Sequence, residues 1–290
     1  APPRLLDRQR TGAEVDHGDA TRLVVGHRGR PHTHGDRPGA VVGEGGGGLQ
    51  RARAIVGGDE QVHRSAFWRT SADRYGAAMA YAHNGDCRIY FEEFGSRAEP
   101  TLLLVNGLGS QCINYKEKWC QRYVDAGFHV IRFDNRDVGL STHFDQAPLG
   151  PGRNAYELVD MAADAIAVLD ACEVERAHLM GLSMGGMIVQ TMAIHFPERL
   201  LSMVSVMSRT GEREYGQSTP EALAQLTGPP ATDRESAIER HVAGQRTWGS
   251  PDYGDEDRWR ADAAAAYDRS FDPSGVARQF FAIQAAGSWA

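Results

Sequence analysis

Five residues, Gly181-Leu182-Ser183-Met184-Gly185, combine a hydroxyl with the glycine spacing that could put it to chemical use. A short run with apolar residues Ala177, Leu179 and Met180 leads into them, and an almost unbroken apolar pattern from Met187 to Ile194 follows. That order reads as strand, sharp turn and helix, the context in which G-x-S-x-G acquires a mechanism. The glycines let the backbone turn where a Cβ would collide. The turn lifts Ser183 Oγ clear of a sheet, at the N-terminus of a helix whose free N–H groups and positive dipole end favour a developing anion. Ser183 is therefore the nucleophile candidate. The competing reading is a strand–helix turn in which the serine is an incidental small residue.

The elements that must position this serine alternate along the chain. Asn84-Gly85 is a two-residue hairpin signal between Met79–Ala82 and Cys87–Phe94. Thr101-Leu-Leu-Leu-Val105 is a continuous apolar run expected of a strand buried on both faces, and it ends in Asn106-Gly-Leu-Gly-Ser110. The pattern then predicts a helix over Tyr115–Asp125 stopped by Gly127, a strand over Phe128–Phe133, and the turn Asp134-Asn-Arg-Asp-Val-Gly-Leu-Ser141. A helix is expected over Asn154–Cys172, where Leu158, Met161, Ala165, Leu169 and Cys172 share a face and Asp160, Asp164 and Asp170 fall mostly on others. A strand over Leu201–Met207 follows the Ser183 helix. Beyond it only helices are expected, at Pro220–Leu226, Glu235–Arg246, Asp255–Ser270 and Ser274–Ala286. Alternating strands and helices imply a mostly parallel α/β sheet with right-handed crossovers and helices on both faces.

Composition narrows the function classes. The net charge of −7 and pI near 5.9 argue against nucleic acid or an anionic membrane as the main partner. No apolar run approaches a bilayer-spanning length and no leader-like pattern opens the chain, so a cytoplasmic location is expected. Cys87, Cys112, Cys120 and Cys172 are scattered and read as small buried side chains in a reducing compartment. Lys116 and Lys118 are the only lysines, a bias towards arginine that fits a GC-rich genome. No cofactor and no metal are implied. Residues 1–78 differ from the rest: they hold 12 Arg against 9 Asp and Glu and 14 of the 33 glycines, without helical or strand periodicity. They are expected to be disordered or a non-native upstream segment, with Met79 the natural start. His27, His32 and His34 lack ligand partners at a convincing spacing and read as a solvated loop.

Taken in order, Asn106-Gly-Leu-Gly, Asp134-Asn-Arg-Asp-Val-Gly-Leu-Ser and Gly181-Leu-Ser-Met-Gly-Gly resemble the α/β-hydrolase superfamily, and within it the aclacinomycin-methylesterase-like bacterial ester hydrolases. The resemblance implies a core over 79–210 and a helical cap region over 211–290. It implies Ser183 as nucleophile and the backbone N–H groups of Leu108 and Met184 as the oxyanion hole. The Asp134–Ser141 turn is expected to be structural, with Asp134 and Arg136 tying down the loop. Asp137 stands where the family usually has glycine, and Asn106 where it often has histidine. Trp248, Trp259, Tyr267 and Phe271 either line a pocket beneath the cap or pack the cap helices together.

In that family the triad runs Ser, then Asp or Glu, then His, the last two on loops after the cap. Neither is recognisable in this chain, which implies that the C-terminal part of the sheet is missing and an apolar edge strand is left unpaired. His195 is expected to face the core or a neighbouring element, His241 to lie on the surface, and Glu212 to lack a histidine partner. The expected function is a serine hydrolase acting on a small-molecule carboxylic ester through an acyl-enzyme, inactive as this fragment. Thioesterase, perhydrolase and carbon–carbon hydrolase chemistries share the same arrangement. A non-catalytic α/β-hydrolase-like binding module or a pseudogene product is the alternative.

Overall fold

The computed structural model describes residues 79–147, 149–150, 152–212 and 214–287; the expectations for residues 1–78, including His27, His32 and His34, lie outside them. Six strands form one sheet in the order β1-β2-β4-β3-β5-β6. They are β1 (Met79–Asn84), β2 (Cys87–Phe94), β3 (Thr101–Val105), β4 (His129–Phe133), β5 (Ala177–Leu182) and β6 (Leu200–Val206). The hairpin β1–β2 and the pair β2–β4 are antiparallel, whereas β4, β3, β5 and β6 run parallel. Seven α-helices are described: α1 (Glu117–Asp125), α2 (Leu158–Ala171), α3 (Met184–His195), α4 (Pro220–Thr227), α5 (Arg234–Trp248), α6 (Glu256–Arg269) and α7 (Pro273–Ala285). No helix among the described residues is long and apolar enough to cross a membrane.

The continuous apolar run of β3 is explained by what covers it. Leu103 and Val105 face the main core with α2 and α3, through Met161, Leu169, Ile188 and Met192. Leu102 and Leu104, one residue out of phase, face the smaller core with α1, through Tyr115 and Cys120. Both faces are buried, so alternation has nothing to report. β4 is buried along its whole length, including His129 and Arg132. Arg132 is the cross-strand partner of Glu92 and donates its Nε to the Glu92 carboxylate at 2.8 Å, and His129 Nε2 lies 2.9 Å from Glu93. The four cysteines are free and buried, as their scatter suggested.

Three local expectations shift. The hairpin loop is Gly85-Asp86, because Asn84 pairs with Cys87 and stays in β1; Gly85 takes φ +57°, as the first central position of such a turn requires. α1 begins at Glu117, after a 3₁₀ turn at Cys112–Asn114. α2 begins at Leu158, four residues later than the apolar spacing suggests, because Asp160 reaches back there to accept the Glu157 N–H with its carboxylate at 2.8 Å. Asp164 is also not on an outward face. It is 1% exposed, accepts both Nε and Nη2 of Arg136 at 2.6 and 2.7 Å, and takes a further bond from Asn84 Nδ2.

After β6 the only regular elements among the described residues are helices, joined by irregular segments. α5 and α6 share an apolar seam of Ile238, Val242 and Ala263, with Trp259 packed against it. α7 returns to the sheet, where Ala282 is fully buried in the main core.

Candidate active site

The site grows from the β5–α3 junction. Ser183 adopts φ 56° and ψ −117°, so the sharp bend is carried by the serine itself. Its N–H donates to Val206 O of β6 at 2.8 Å, and its carbonyl accepts from Gly186 N at 2.8 Å and Met187 N at 3.2 Å. The flanking glycines are required by proximity. A Cβ at Gly181 would lie 2.1 Å from Gly185 O, and one at Gly185 would lie 2.1 Å from Val105 O and 2.7 Å from Asn106 O. The helix N-terminus is thereby pressed against the end of β3. Met184 N–H belongs to the first turn of α3, where no intrahelical acceptor exists.

The loop after β3 meets this elbow. A Cβ on Gly107 would stand 3.2 Å from Ser183 Cβ and 3.8 Å from its Oγ. Ser110 N donates to Gly107 O at 3.1 Å and Gly109 has φ +67° while Leu108 does not enter positive φ, which makes Gly107–Ser110 a type II turn. Asn106 Nδ2 donates to Gln111 O, and Asn135 Nδ2 donates to Asn106 O, both at 3.1 Å. Asn106 thus braces the loop with its own side chain.

The Asp134–Ser141 turn is a buried framework. Asp134 accepts from Cys112 N at 2.6 Å, Leu140 N at 2.9 Å and Arg269 of α6 at 2.7 Å. Arg136 is clamped by Asp164, so both residues do tie down the loop. Asp137 explains its departure from glycine. It keeps the left-handed backbone, φ 69°, and its buried carboxylate accepts two bonds from Arg278 of α7, both at 2.9 Å, one from Tyr156 Oη at 2.6 Å and one from Phe144 N at 2.7 Å.

A cavity of about 500 Å³ opens between this framework and the helices after β6. Leu108 and Gly109 form part of its wall, one residue beyond the glycine that touches Ser183. Trp248, Tyr267, Phe271 and Phe280 give it an aromatic lining. Trp259 packs instead on the α5–α6 seam and against Gly254. His241, expected on the surface, is half-buried in the cavity wall, and burial pushes its imidazole below the ordinary value. His195, expected to face the core or a neighbouring element, is exposed at the end of α3. Glu212 is half-buried after β6, and its backbone carbonyl accepts from Gln217 Nε2.

Among the described residues no imidazole is hydrogen bonded to Ser183 Oγ. His83 and His195 are exposed, His129 is held by Glu93, and His178 Nδ1 bonds Ser202 Oγ at 2.8 Å. His143, a residue sequence reasoning passed over, bonds Asp272 through Nδ1 at 2.8 Å and Gly139 O through Nε2 at 3.1 Å. Both of its nitrogens are in use. Asp137, His143 and Asp272 gather within 4.8 Å as ligands of a metal would. However, the Arg278 guanidinium, 2.9 Å from Asp137 and 3.1 Å from Asp272, already supplies the cation they need.

Residues 100–257, more than half of the chain, match the family described as alpha/beta hydrolase fold. The rhodomycin D methylesterase of Streptomyces peucetius is 32% identical over 212 residues, covering 65% of this chain and 69% of that protein. The 3-oxoadipate enol-lactonase 2 of Acinetobacter baylyi is 30% identical over 135 residues, 46% of this chain and 47% of its own. The crystal structure of the enol-lactonase from Burkholderia xenovorans superposes with a TM-score of 0.52 at 25% identity, covering 72% of this chain and 75% of that one.

Proposed function

The chain belongs to the α/β-hydrolase fold family, and on that premise we propose that it is a carboxylic ester hydrolase with Ser183 as nucleophile. The observation that carries the reading is the backbone of Ser183: a serine held at φ 56° and ψ −117°, half-buried, beside Gly107 and at the head of α3. Such a conformation costs about 1–3 kcal/mol and persists only where the surroundings impose it. The two relatives described above, a methylesterase and an enol-lactonase by name, favour an ester as the substrate. In this reading residues 79–210 are the hydrolase core, 211–290 the cap region, and the aromatic cavity receives the apolar body of a small-molecule ester.

The chemistry follows. Ser183 Oγ attacks the ester carbonyl carbon while its proton passes to a base, and the carbonyl oxygen becomes an anion received by the N–H groups of Leu108 and Met184. Collapse expels the alcohol, which takes up the proton. Water then repeats the sequence on the acyl-enzyme, releases the acid and restores the serine. The described residues supply the nucleophile and the anion site, and no imidazole bonded to Ser183 Oγ. The 290-residue chain is therefore expected to hydrolyse esters slowly, because a neutral serine hydroxyl is a weak nucleophile and its base acts with it as a unit.

Added imidazole separates these parts. With 1–290 and p-nitrophenyl butyrate, imidazole should raise p-nitrophenol release at least about tenfold above the same mixture with Ser183→Ala, since the oxyanion hole and binding alone can retain roughly 10³–10⁴-fold over water. Equal rates for the two proteins would overturn the assignment and favour a non-catalytic binding module. A large serine-dependent rate without imidazole would mean a built-in base, and His241→Ala would be the first variant to measure.

A further inference from the structure

Gln279 lies on α7 and is fully buried, and both ends of its amide are spent on backbone belonging to two other loops. Its Oε1 accepts the Gly109 N–H at 2.9 Å, and its Nε2 donates to Arg136 O at 2.7 Å. The first contact falls on the central peptide of the Gly107–Ser110 turn. Type I and type II turns differ by the orientation of that peptide, and Gly109 at φ +67° puts this one in the type II state. A buried acceptor on the Gly109 N–H holds it there. The neighbouring Gly107–Leu108 peptide is fixed through its carbonyl, which accepts from Ser110 N. In a trans peptide the N–H points opposite to the C=O, so the Leu108 N–H is directed away from that bond and is left for another acceptor.

Further contacts bring α6 and α7 onto this loop. A Cβ on Gly109 would meet Val276 Cγ2 of α7 at 3.0 Å. Gln111 Nε2 donates to Ala266 O at 2.8 Å and Ser270 O at 3.0 Å, at the end of α6. Arg278, one residue before Gln279, is anchored on Asp137. The Gln279 amide is thus held in place at both ends, and flipping it would face donor to donor and acceptor to acceptor.

We infer that Gln279 is a positioning residue for the oxyanion hole: it pins the central peptide of the Gly107–Ser110 turn and so holds in place, beside Ser183, the loop that carries the Leu108 N–H. The inference rests on the ester-hydrolase reading above. It makes the helices that wall the cavity part of the catalytic geometry, because the side chain that braces the loop of the anion donor is carried by α7. Removing one such donor costs about 10²–10³-fold in turnover, and loosening it through a neighbour costs less.

Two variants and two readouts test it. Gln279→Leu keeps the side-chain bulk and removes both polar contacts; Gln279→Glu offers the same acceptor and donor when its carboxyl is protonated. In Gln279→Leu the Gly109 amide should exchange with solvent at least about tenfold faster, with β3 and β5 amides unchanged. Imidazole-supported, Ser183-dependent turnover of p-nitrophenyl butyrate should lose about 10- to 30-fold in kcat with KM within about twofold. For Gln279→Glu, turnover relative to the parent at the same pH should rise as the pH is lowered. Gly109 exchange that does not change, or a kcat loss matched by KM or by loosening of β3, overturns the inference. Should Gln279→Leu fail to fold, the pH-dependent recovery of Gln279→Glu carries the test, and its absence overturns the inference. Turnover indifferent to Ser183→Ala overturns the function proposed above, and Gly109 exchange then still decides whether Gln279 holds the turn.

Discussion

Two residues in the left-handed region, Ser183 at φ 56° and Asp137 at φ 69°, carry much of what distinguishes this site. Their strain is compensated differently. At Ser183 nothing in the side chain repays it, so glycine should relax the position and alanine should not. Ser183→Gly is expected to be more stable than Ser183→Ala by about 1 kcal/mol in urea unfolding, the usual size of a left-handed penalty after the glycine's own entropy cost is subtracted. Equal stabilities would mean that the elbow stores no strain. At Asp137 the carboxylate answers Arg278 and Tyr156, so a return to glycine is not neutral. Asp137→Gly removes the strain but leaves Arg278, 4% exposed, without its main counter-charge. A loss of about 3–5 kcal/mol is expected, and adding Arg278→Met should recover part of it, with a coupling of at least about 1 kcal/mol in the double-mutant cycle. Strictly additive losses would show that the pair is not the reason for aspartate here.

At the scale of elements, the parts legible in the sequence were those whose reasons are local. The Gly-x-Ser-x-Gly spacing marked the elbow because the clashing atoms at Gly181 and Gly185 lie within a few residues of the turn or on the strand that ends beside it. β3 announced its double burial by an unbroken apolar run. What stayed hidden depends on partners far along the chain: Asp137 and Arg278 are 141 positions apart, Gly109 and Gln279 170. Periodicity placed α7 correctly as a helix and had no means of showing which loops it grips. Its N-terminus also carries a titratable latch, His143 against the α7 cap residue Asp272. Burial alone would lower the His143 imidazole, but the Asp272 carboxylate and the Gly139 carbonyl outweigh it and hold the imidazole above its ordinary value. Asp272 is likewise penalised by burial and still held below the usual carboxylate range by His143, Gly275 N–H and Arg278. A raised imidazole stabilises the fold fully below the unfolded value of about 6.5 and loses that contribution as pH rises through the folded value. Asp272, held below the usual carboxylate range, stays ionised throughout that range. The destabilisation caused by His143→Ala should therefore be larger at about pH 5.5 than at about pH 9, by up to roughly 1 kcal/mol for a partly exposed pair. A pH-independent loss would assign His143 to packing alone.

Across the whole described chain the sheet has two unlike edges. One is the hairpin strand β1, covered by α2; the other is β6, a parallel strand that pairs only with β5 among the described residues. The sequence implied an apolar strand left at an edge, and β6 is that strand. Its burial runs against its composition: Leu201 and Met203 on one face are 45% and 39% exposed, and Val204 on the other is 51% exposed. Because alternate residues point to opposite faces, neither face of β6 is fully covered by described residues, although α3 packs along it through Gly186 and Gln190 at Ser205. Ser183 depends on this strand, since its N–H is held by Val206 O at the strand's end. An exposed parallel strand rich in branched and long apolar side chains presents both free backbone groups and apolar surface, which together favour edge-to-edge association. The 290-residue chain is therefore expected to self-associate in a concentration-dependent way, visible as a rising mean mass in light scattering. A charge at the most exposed large apolar side chain of the strand opposes such pairing without touching the elbow, so Val204→Lys should shift the distribution towards monomer and raise the soluble yield. It should do so with little loss of unfolding free energy, because a half-exposed valine contributes only a fraction of the roughly 1.5–3 kcal/mol of a fully buried one. If Val204→Lys instead destabilises the fold by several kcal/mol, or leaves association unchanged, β6 is covered in solution and its exposed face is not the origin of self-association.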